Sequence, residues 1–327
     1  MVLVQRFGSS TAIAICIAVA AASGFAHAQQ KAFPTKAVRW VTVGPGSQND
    51  LVARIVTPRL SESWGQAVII ENRTGAGGAF AASIVSKAAA DGYTLLMLSS
   101  QFSIGAAVHK NLPYDPVKDF AGVTQIGFST SALVVAPSLG VRTTRDLIAL
   151  ANAKSGQVLF STAGAGSGMH MGTERFKLAA GIKATHVAFK SSAEATIEAM
   201  TGRVHFSIPP LGPSLPFIKD GKLLALAVTS PQRSPLLPDV PAMVEVVPAF
   251  QRDGSFGLLA PAGTPRPILN QISRDVARAF EHPDVKQKLQ AMGFVTAPTT
   301  PEEFDRIIRS DIEIFRKVGK QVGLIAP

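Results

Sequence analysis

Val38-Arg39-Trp40-Val41-Thr42-Val43, then Gly44-Pro45-Gly46-Ser47-Gln48-Asn49, then a helical run from Asp50: this stretch decides the fold. A second copy of the same order follows. Ala67-Val68-Ile69-Ile70 leads through Glu71-Asn72-Arg73-Thr74-Gly75-Ala76-Gly77-Gly78 into an alanine-rich helical run. Each is a β-type run, a glycine loop and a helix start. The first N–H groups of a helix have no partner inside it, and the helix dipole favours an anion there. Glycine lets a ligand approach them closely. Two such ends side by side suggest a small-anion site with no metal and no catalytic residue.

Outward from these loops, strand-like and helix-like runs alternate. Leu51, Val52, Ile55, Val56 and Leu60 mark one helical face, with Asp50 as its expected N-cap and Gly65 as its stop. Thr94–Leu98, Ser131–Ala136, Val158–Ser161, Thr185–Phe189, Val204–Ile208 and Leu223–Thr229 read as strands. Thr143-Thr144-Arg145-Asp146 reads as a capping box opening the helix Leu147–Lys154. Helices are expected from near Met169, over Ala193–Thr201, and at the end of the chain around Ile268–Phe280 and Pro301–Val322. Continuous apolar strands separated by helices indicate an α/β protein with a parallel sheet covered on both faces. The proline-rich stretch Ser230–Pro248 reads as an extended connection, and no internal repeat stands out. Crossovers between two domains are placed near Phe128–Ser131 and Gln251–Ser255. Residues 131–251 then form an inserted domain, and 29–130 with 252–327 form a discontinuous one.

Residues 1–28 read as a secretory signal peptide, with Arg6 as its charge, Ile13–Ala22 as its apolar stretch and Ala26-His27-Ala28 as the cleavage site. Export to the periplasm, with cleavage after Ala28, is therefore expected. The only cysteine, Cys16, lies inside that segment, so the mature chain has no disulfide, thiolate nucleophile or cysteine metal site. The formal charge is +10, from 32 Lys and Arg against 22 Asp and Glu. These cations are scattered, aromatic residues are few and no nucleic-acid motif is present, so the basic balance reads as a solvated surface.

Catalytic patterns fail in detail. Gly164-Ala165-Gly166-Ser167-Gly168-Met169 satisfies neither G-x-S-x-G nor G-x-G-x-x-G, and Phe80 stands where a third glycine after Gly75 and Gly77 is needed. His109, His170, His186, His205 and His282 lack metal-ligand spacing. No cofactor is expected. What remains is four helix starts after strands, at Ser47–Asp50, Thr74–Gly78, Ser161–Gly168 and Lys190–Ser192. Ligands of open α/β sheets sit at the carboxyl ends of strands. Two loops come from each expected domain, so all four can converge on one interdomain cleft, with His170 as a further hydrogen-bonding group. A secreted α/β hydrolase using Ser167 and the binding subunit of a sensory system are the competing readings.

The chain from about Phe33 onward resembles the extracytoplasmic solute receptors of tripartite tricarboxylate transporters, the Bug receptor family. The resemblance is carried by Pro45-Gly46 with Asp50-Leu51-Val52-Ala53-Arg54, by Glu71-Asn72-Arg73 with Gly75-Ala76-Gly77-Gly78, and by Asp91-Gly92-Tyr93. Leu112-Pro113-Tyr114-Asp115-Pro116-Val117-Lys118-Asp119-Phe120, Leu237-Pro238-Asp239-Val240-Pro241 and Ala260-Pro261-Ala262-Gly263-Thr264-Pro265 add to it. It implies a type II periplasmic-binding-protein architecture, two doubly wound α/β domains joined by a hinge. It also implies capture of a small organic carboxylate by backbone amides, for delivery to membrane permease subunits. The protein is expected to act as a monomer, with no nucleic-acid partner.

The ligand set expected from loops and resemblance together is Gly44, Pro45, Gly46, Ser47, Gln48, Asn49, Asp50, Gly75, Ala76, Gly77, Gly78, Ser100, Ser161, Ala163, Gly164, Gly166, Ser167, His170, Lys190, Ser191 and Pro209. There are three departures from the family pattern, and the loss of a carboxylate and a phenol makes the cleft less polar. Ser47 follows Gly46 where paired glycines are usual. Pro209-Pro210 replaces an aspartate, and Phe189 stands where a tyrosine commonly precedes the lysine matched by Lys190. An aromatic or otherwise less polar carboxylate is expected, with Phe102, Phe128 and Phe189 as apolar walls.

Overall fold

The computed structural model describes residues 33–250 and 255–325. The signal segment, Cys16 and most of the second expected crossover lie outside these residues. The chain divides into Met1–Thr35 and Lys36–Pro327, and every element below belongs to the second unit.

The chain begins with β1 (Val38–Thr42), α1 (Gln48–Trp64), β2 (Val68–Asn72), α2 (Ala79–Ser86), β3 (Thr94–Ser99), α3 (Ser100–Val108) and β4 (Phe120–Ser129). It continues with β5 (Ala132–Val135), α4 (Thr144–Ala153), β6 (Leu159–Thr162), α5 (Gly168–Ala180), β7 (Thr185–Ala188), α6 (Ser192–Met200), β8 (Phe206–Ser207), α7 (Leu211–Lys219), β9 (Leu224–Val228) and α8 (Met243–Val246). It ends with β10 (Ser255–Pro261), α9 (Arg266–Glu281), α10 (Pro283–Ala291), β11 (Phe294–Thr296) and α11 (Pro301–Gln321). Two sheets result, in strand orders β11-β4-β10-β3-β1-β2 and β7-β6-β8-β5-β9. Thr130 and Ser131 carry the chain from β4 in the first sheet to β5 in the second.

The expectation of purely parallel sheets is corrected. β1 runs parallel to β2 and β3, but β10 is antiparallel to both β3 and β4, and β11 is antiparallel to β4. In the second sheet β6 runs parallel to β7 and β8, while β5 is antiparallel to β8 and β9. Strands entered by crossing between the sheets, rather than through a βαβ unit, arrive in the opposite direction. Their apolar composition is the same because they too are covered on both faces: all seven residues of β10 are buried.

Each sheet has its own core. Val41, Leu96, Leu98, Phe102, Tyr114, Phe120 and Phe304 cluster on the first, and Leu133, Leu147, Phe160, Phe176, Phe206 and Phe250 on the second. A smaller cluster joins Ile104 of α3, Met171 of α5 and Phe315 of α11. α11 therefore packs helices of both sheets together. The Thr130 peptide is held from both sides, its N–H by Gly293 O at 3.0 Å and its carbonyl by Leu211 N at 2.9 Å. Among the described residues, no helix is long and apolar enough to cross a membrane.

Candidate functional site

The first glycine loop leaves β1 at Thr42. Gly46 takes φ 74°, in the left-handed region that glycine tolerates. Ser47, not Asp50, is the N-cap of α1: its Oγ accepts from Asp50 N. Asp50 sits in the first turn and turns inward. Its carboxylate accepts from Gly46 N at 2.9 Å, Asn72 Nδ2 at 2.9 Å and Arg54 Nε at 3.0 Å. Burial alone would raise its pKa, but these partners outweigh burial and hold it below the usual carboxylate range. Asp50 is thus a brace between the first loop and β2. The N–H groups of Gln48 and Asn49 remain the donors without an intrahelical acceptor.

The second loop winds through Gly75, Gly77 and Gly78 at φ 141°, 63° and 97° before α2 begins at Ala79. Its arginine is spent elsewhere, because Arg73 and Arg39 both donate to Glu71. A third helix start was not legible as one. α3 begins at Ser100 directly after β3, and Ser99 caps it without a side-chain bond. The apolar run of β3 and the absence of a glycine hid the boundary, although Ser100 was in the expected set.

The third loop repeats the first. Ser47 N donates to Gly44 O at 3.2 Å, and Ser167 N to Gly164 O at 3.3 Å. The two caps share one conformation, φ −65° and ψ 158° at Ser47, φ −65° and ψ 157° at Ser167. Where Asp50 accepts from Gly46 N, His170 Nδ1 accepts from Gly166 N at 3.1 Å. This Gly-x-Gly-Ser-x-x-acceptor repeat corrects the expectation of none. It spans only seven residues and differs at its last position.

Two contiguous depressions form the cleft. One, of about 510 Å³, is lined by Ser47, Gln48 and Asn49, by Thr74, Gly75, Gly77 and Gly78, and by Gln101 and Phe256. The other, of about 170 Å³, shares Gln48, Ser99, Gln101 and Phe256 with it. It extends past Ser100, Ser129 and Ser131 to Gly168, Met169, Ile208 and Pro210, so it joins residues of both sheets. Among the described residues, no Asp, Glu, Lys, Arg or His lines either depression. Gln48 Nε2 donates to Ser129 Oγ at 2.9 Å, tying the start of α1 to the strand that leaves the first sheet.

Other expected residues lie off this lining. Gly44, Pro45 and Gly46 shape the first loop behind Ser47. Ser161 is fully buried and its Oγ donates to Ala195 O at 2.7 Å. Ala163, Gly164 and Gly166 form the turn before Ser167, and Pro209 O accepts from Ala132 N. Lys190 and Ser191 are exposed at the start of α6, where Ser191 Oγ caps the helix. His170 is buried and stacks on His186, with 4.0 Å between ring centroids. Ser167 Oγ donates to Gly164 O at 2.7 Å and accepts from His170 N, so its proton points at a carbonyl and not at a base. None of the expected aromatic walls lines these two depressions. Phe128 is buried, and Phe102 packs with Tyr114 and Phe120 behind the cleft. Phe189 does not line it, and the aromatic that does, Phe256, follows directly on the second crossover, where no periodicity marks its side. Among the described residues no cluster of three or more His, Cys, Asp or Glu could hold a metal.

A family model described as "Tripartite tricarboxylate transporter family receptor" matches residues 52–324. Protein BugT of Bordetella pertussis is 31% identical over 94% of this chain and 96% of its own length. A Rhodopseudomonas palustris protein solved with adipate is 33% identical, covers 89% of this chain and 98% of its own, and superposes with a TM-score of 0.70. MatC of the same organism, solved with malate, is 27% identical over 88% of this chain and 99% of its own, with a TM-score of 0.66.

Proposed function

Since this chain belongs to the tripartite tricarboxylate transporter receptor family, we propose that it captures a small organic carboxylate in the cleft described above and presents it to membrane permease subunits. The observation that carries this reading is the lining itself. The starts of α1, α2 and α3 from one sheet and of α5 from the other meet at a surface with no charged side chain among the described residues. A carboxylate there is held by backbone N–H groups and helix dipoles, each end contributing roughly 0.3–1 kcal/mol when exposed and up to about 2 kcal/mol when partly buried. The contacts we assign are Ser47, Gln48, Asn49, Gly77, Gly78, Ser99, Ser100 and Gly168. The domains that close on the ligand are 29–130 with 252–327 and 131–251, with Thr130 in the hinge. The protein is a periplasmic monomer released by cleavage after Ala28. It carries out no chemistry, and the Ser167 hydroxyl, bonded to a carbonyl, supports no hydrolase reading.

Thermal unfolding against a panel of mono-, di- and aromatic carboxylates tests the proposal. At 100 times its dissociation constant a ligand adds about 2.7 kcal/mol, which raises the midpoint by several degrees. A panel that leaves the midpoint in place removes the carboxylate assignment.

A further inference from the structure

Behind the Gly77–Gly78 turn lies a second cavity, of about 30 Å³. It adjoins the cleft: Val43, Asn49, Gly77, Gly78, Ser99 and Gln101 stand between the two and line both. Its far wall is Leu96, Leu98, Phe102, Leu112 and Tyr114, with His109 beside Gly105. The Tyr114 hydroxyl is pushed up to about 12 by burial, so it stays protonated at neutral pH. The Asn49 amide at the mouth is turned to Met97 O. A water-sized group needs roughly 10–15 Å³, so the cavity has room for about two such groups. Part of that room exists because position 105 is glycine. Gly105 is helical, and a Cβ there would meet only His109 Cδ2, at 3.7 Å.

The walls of this cavity are mostly apolar, so it suits hydrocarbon better than a second carboxylate. We propose that this cavity is an apolar subsite that takes the hydrocarbon segment of a monocarboxylate whose anionic head lies at the glycine loops. The preferred ligand is then an amphiphilic monocarboxylate rather than a short dicarboxylate. This rests on the carboxylate-receptor reading and names its substrate class. Entry requires the Gln101 side chain to swing aside. It stands at the mouth with its Nε2 3.7 Å from where a Gly77 Cβ would be.

Calorimetric titration of the purified protein with butyrate, hexanoate, octanoate and adipate tests the subsite. A methylene moved from water into an apolar site is worth roughly a fourfold gain in affinity. One two-methylene step in the monocarboxylate series is expected to gain on the order of tenfold, and hexanoate is expected to outbind adipate. Gly105→Leu fills the cavity and should bring the ratio between long and short acids toward one. Gly105→Ala adds a single methyl group, at a position where alanine favours the helix, and should lower the ratio by about half. A flat series, a preference for adipate, or an unchanged ratio in both variants would overturn the subsite while leaving a carboxylate receptor. Absence of binding by all four acids would overturn the receptor reading and the subsite with it.

Discussion

Asp50 and His170 hold the same place in two loops of the same shape: each accepts the N–H of the glycine four residues before it, Gly46 at 2.9 Å and Gly166 at 3.1 Å. A carboxylate can do this at any pH above its own titration. An imidazole nitrogen can do it only while it is unprotonated. The two halves of the cleft therefore rest on supports with different chemistry.

Acid should weaken the second support. Burial, then the neighbouring charges of His186 and Lys177, push the His170 imidazole down to about 4 from an ordinary value of 6.5. The groups facing it are His186 from β7, Thr162 from β6, bonded to His186, and Glu174 and Lys177 from its own helix. Between pH 6.5 and 4 the unfolded chain binds a proton that the folded chain does not. This contribution to stability is present above pH 6.5 and is lost as the pH falls toward 4. Urea unfolding across that range should show the decline, and His170→Asn, which keeps an acceptor near Nδ1, should flatten it. An identical slope in the variant would assign the decline to other groups, such as the half-buried His205, whose pKa burial also lowers.

Asp50→Ala removes the acceptor that braces Gly46, Asn72 and Arg54. The expected cost is about 1–3 kcal/mol, because Gly46 N–H, Asn72 Nδ2 and Arg54 each lose a bond to a charged group, Asn72 Nδ2 keeping only Val43 O. Ligand affinity should fall as well, since the first loop is no longer held. Denaturation and calorimetric titration of the same variant check both, and wild-type affinity in a destabilised protein would separate the brace from the site.

Gly77 stands at φ 63° with Gln101 as its nearest neighbour. Valine there blocks the approach to the α2 start and also takes a left-handed conformation that costs about 1–2 kcal/mol. Both affinity and stability should drop for Gly77→Val. Gly77→Ala carries similar backbone strain with less bulk, so the difference between the two isolates the steric block. Equal affinities for the two would remove Gly77 from the ligand contacts.

Ser167→Ala loses the cap of α5, with an expected cost of about 0.5–2 kcal/mol and a modest loss of affinity. Ester turnover that appears in the wild type and vanishes in this variant would replace the receptor reading with a hydrolase.

Gly257 in β10 faces the Phe304 ring so closely that a Cβ would lie 2.1 Å from its Cζ. Gly257→Ala should destabilise by about 1–3 kcal/mol or more through overpacking. A companion Phe304→Leu change should recover part of the loss, as a double-mutant cycle would show.

The strand–loop–helix units around Gly44–Asp50 and Gly75–Gly78 were legible because glycines at positive φ, β-branched runs and a 3.6-residue apolar period are all local signals. The Thr143–Asp146 capping box was legible for the same reason, and it forms as read. β4 and β10 were not placed as strands, since glycines and polar residues interrupt both runs and leave no period that separates a doubly covered strand from a connection. Phe102 looked like a cleft wall from its position after a strand. The structure sets it on the cavity behind the cleft instead, stacked on Tyr114 with 5.9 Å between centroids.

The sequence by itself determined the local devices: glycine turns, serine caps and apolar strands, together with a composition free of catalytic and metal-ligating patterns. Each depends on residues within a few positions of one another. Tertiary structure alone decided which of these turns meet. It brought Ser47–Asn49, Gly77–Gly78, Ser99–Ser100 and Gly168 to one cleft and left Lys190 and Ser191 outside it. It also set Gly105 and Tyr114 around an apolar cavity. Those juxtapositions follow from strand order and helix packing across segments far apart in the chain, which no local pattern encodes.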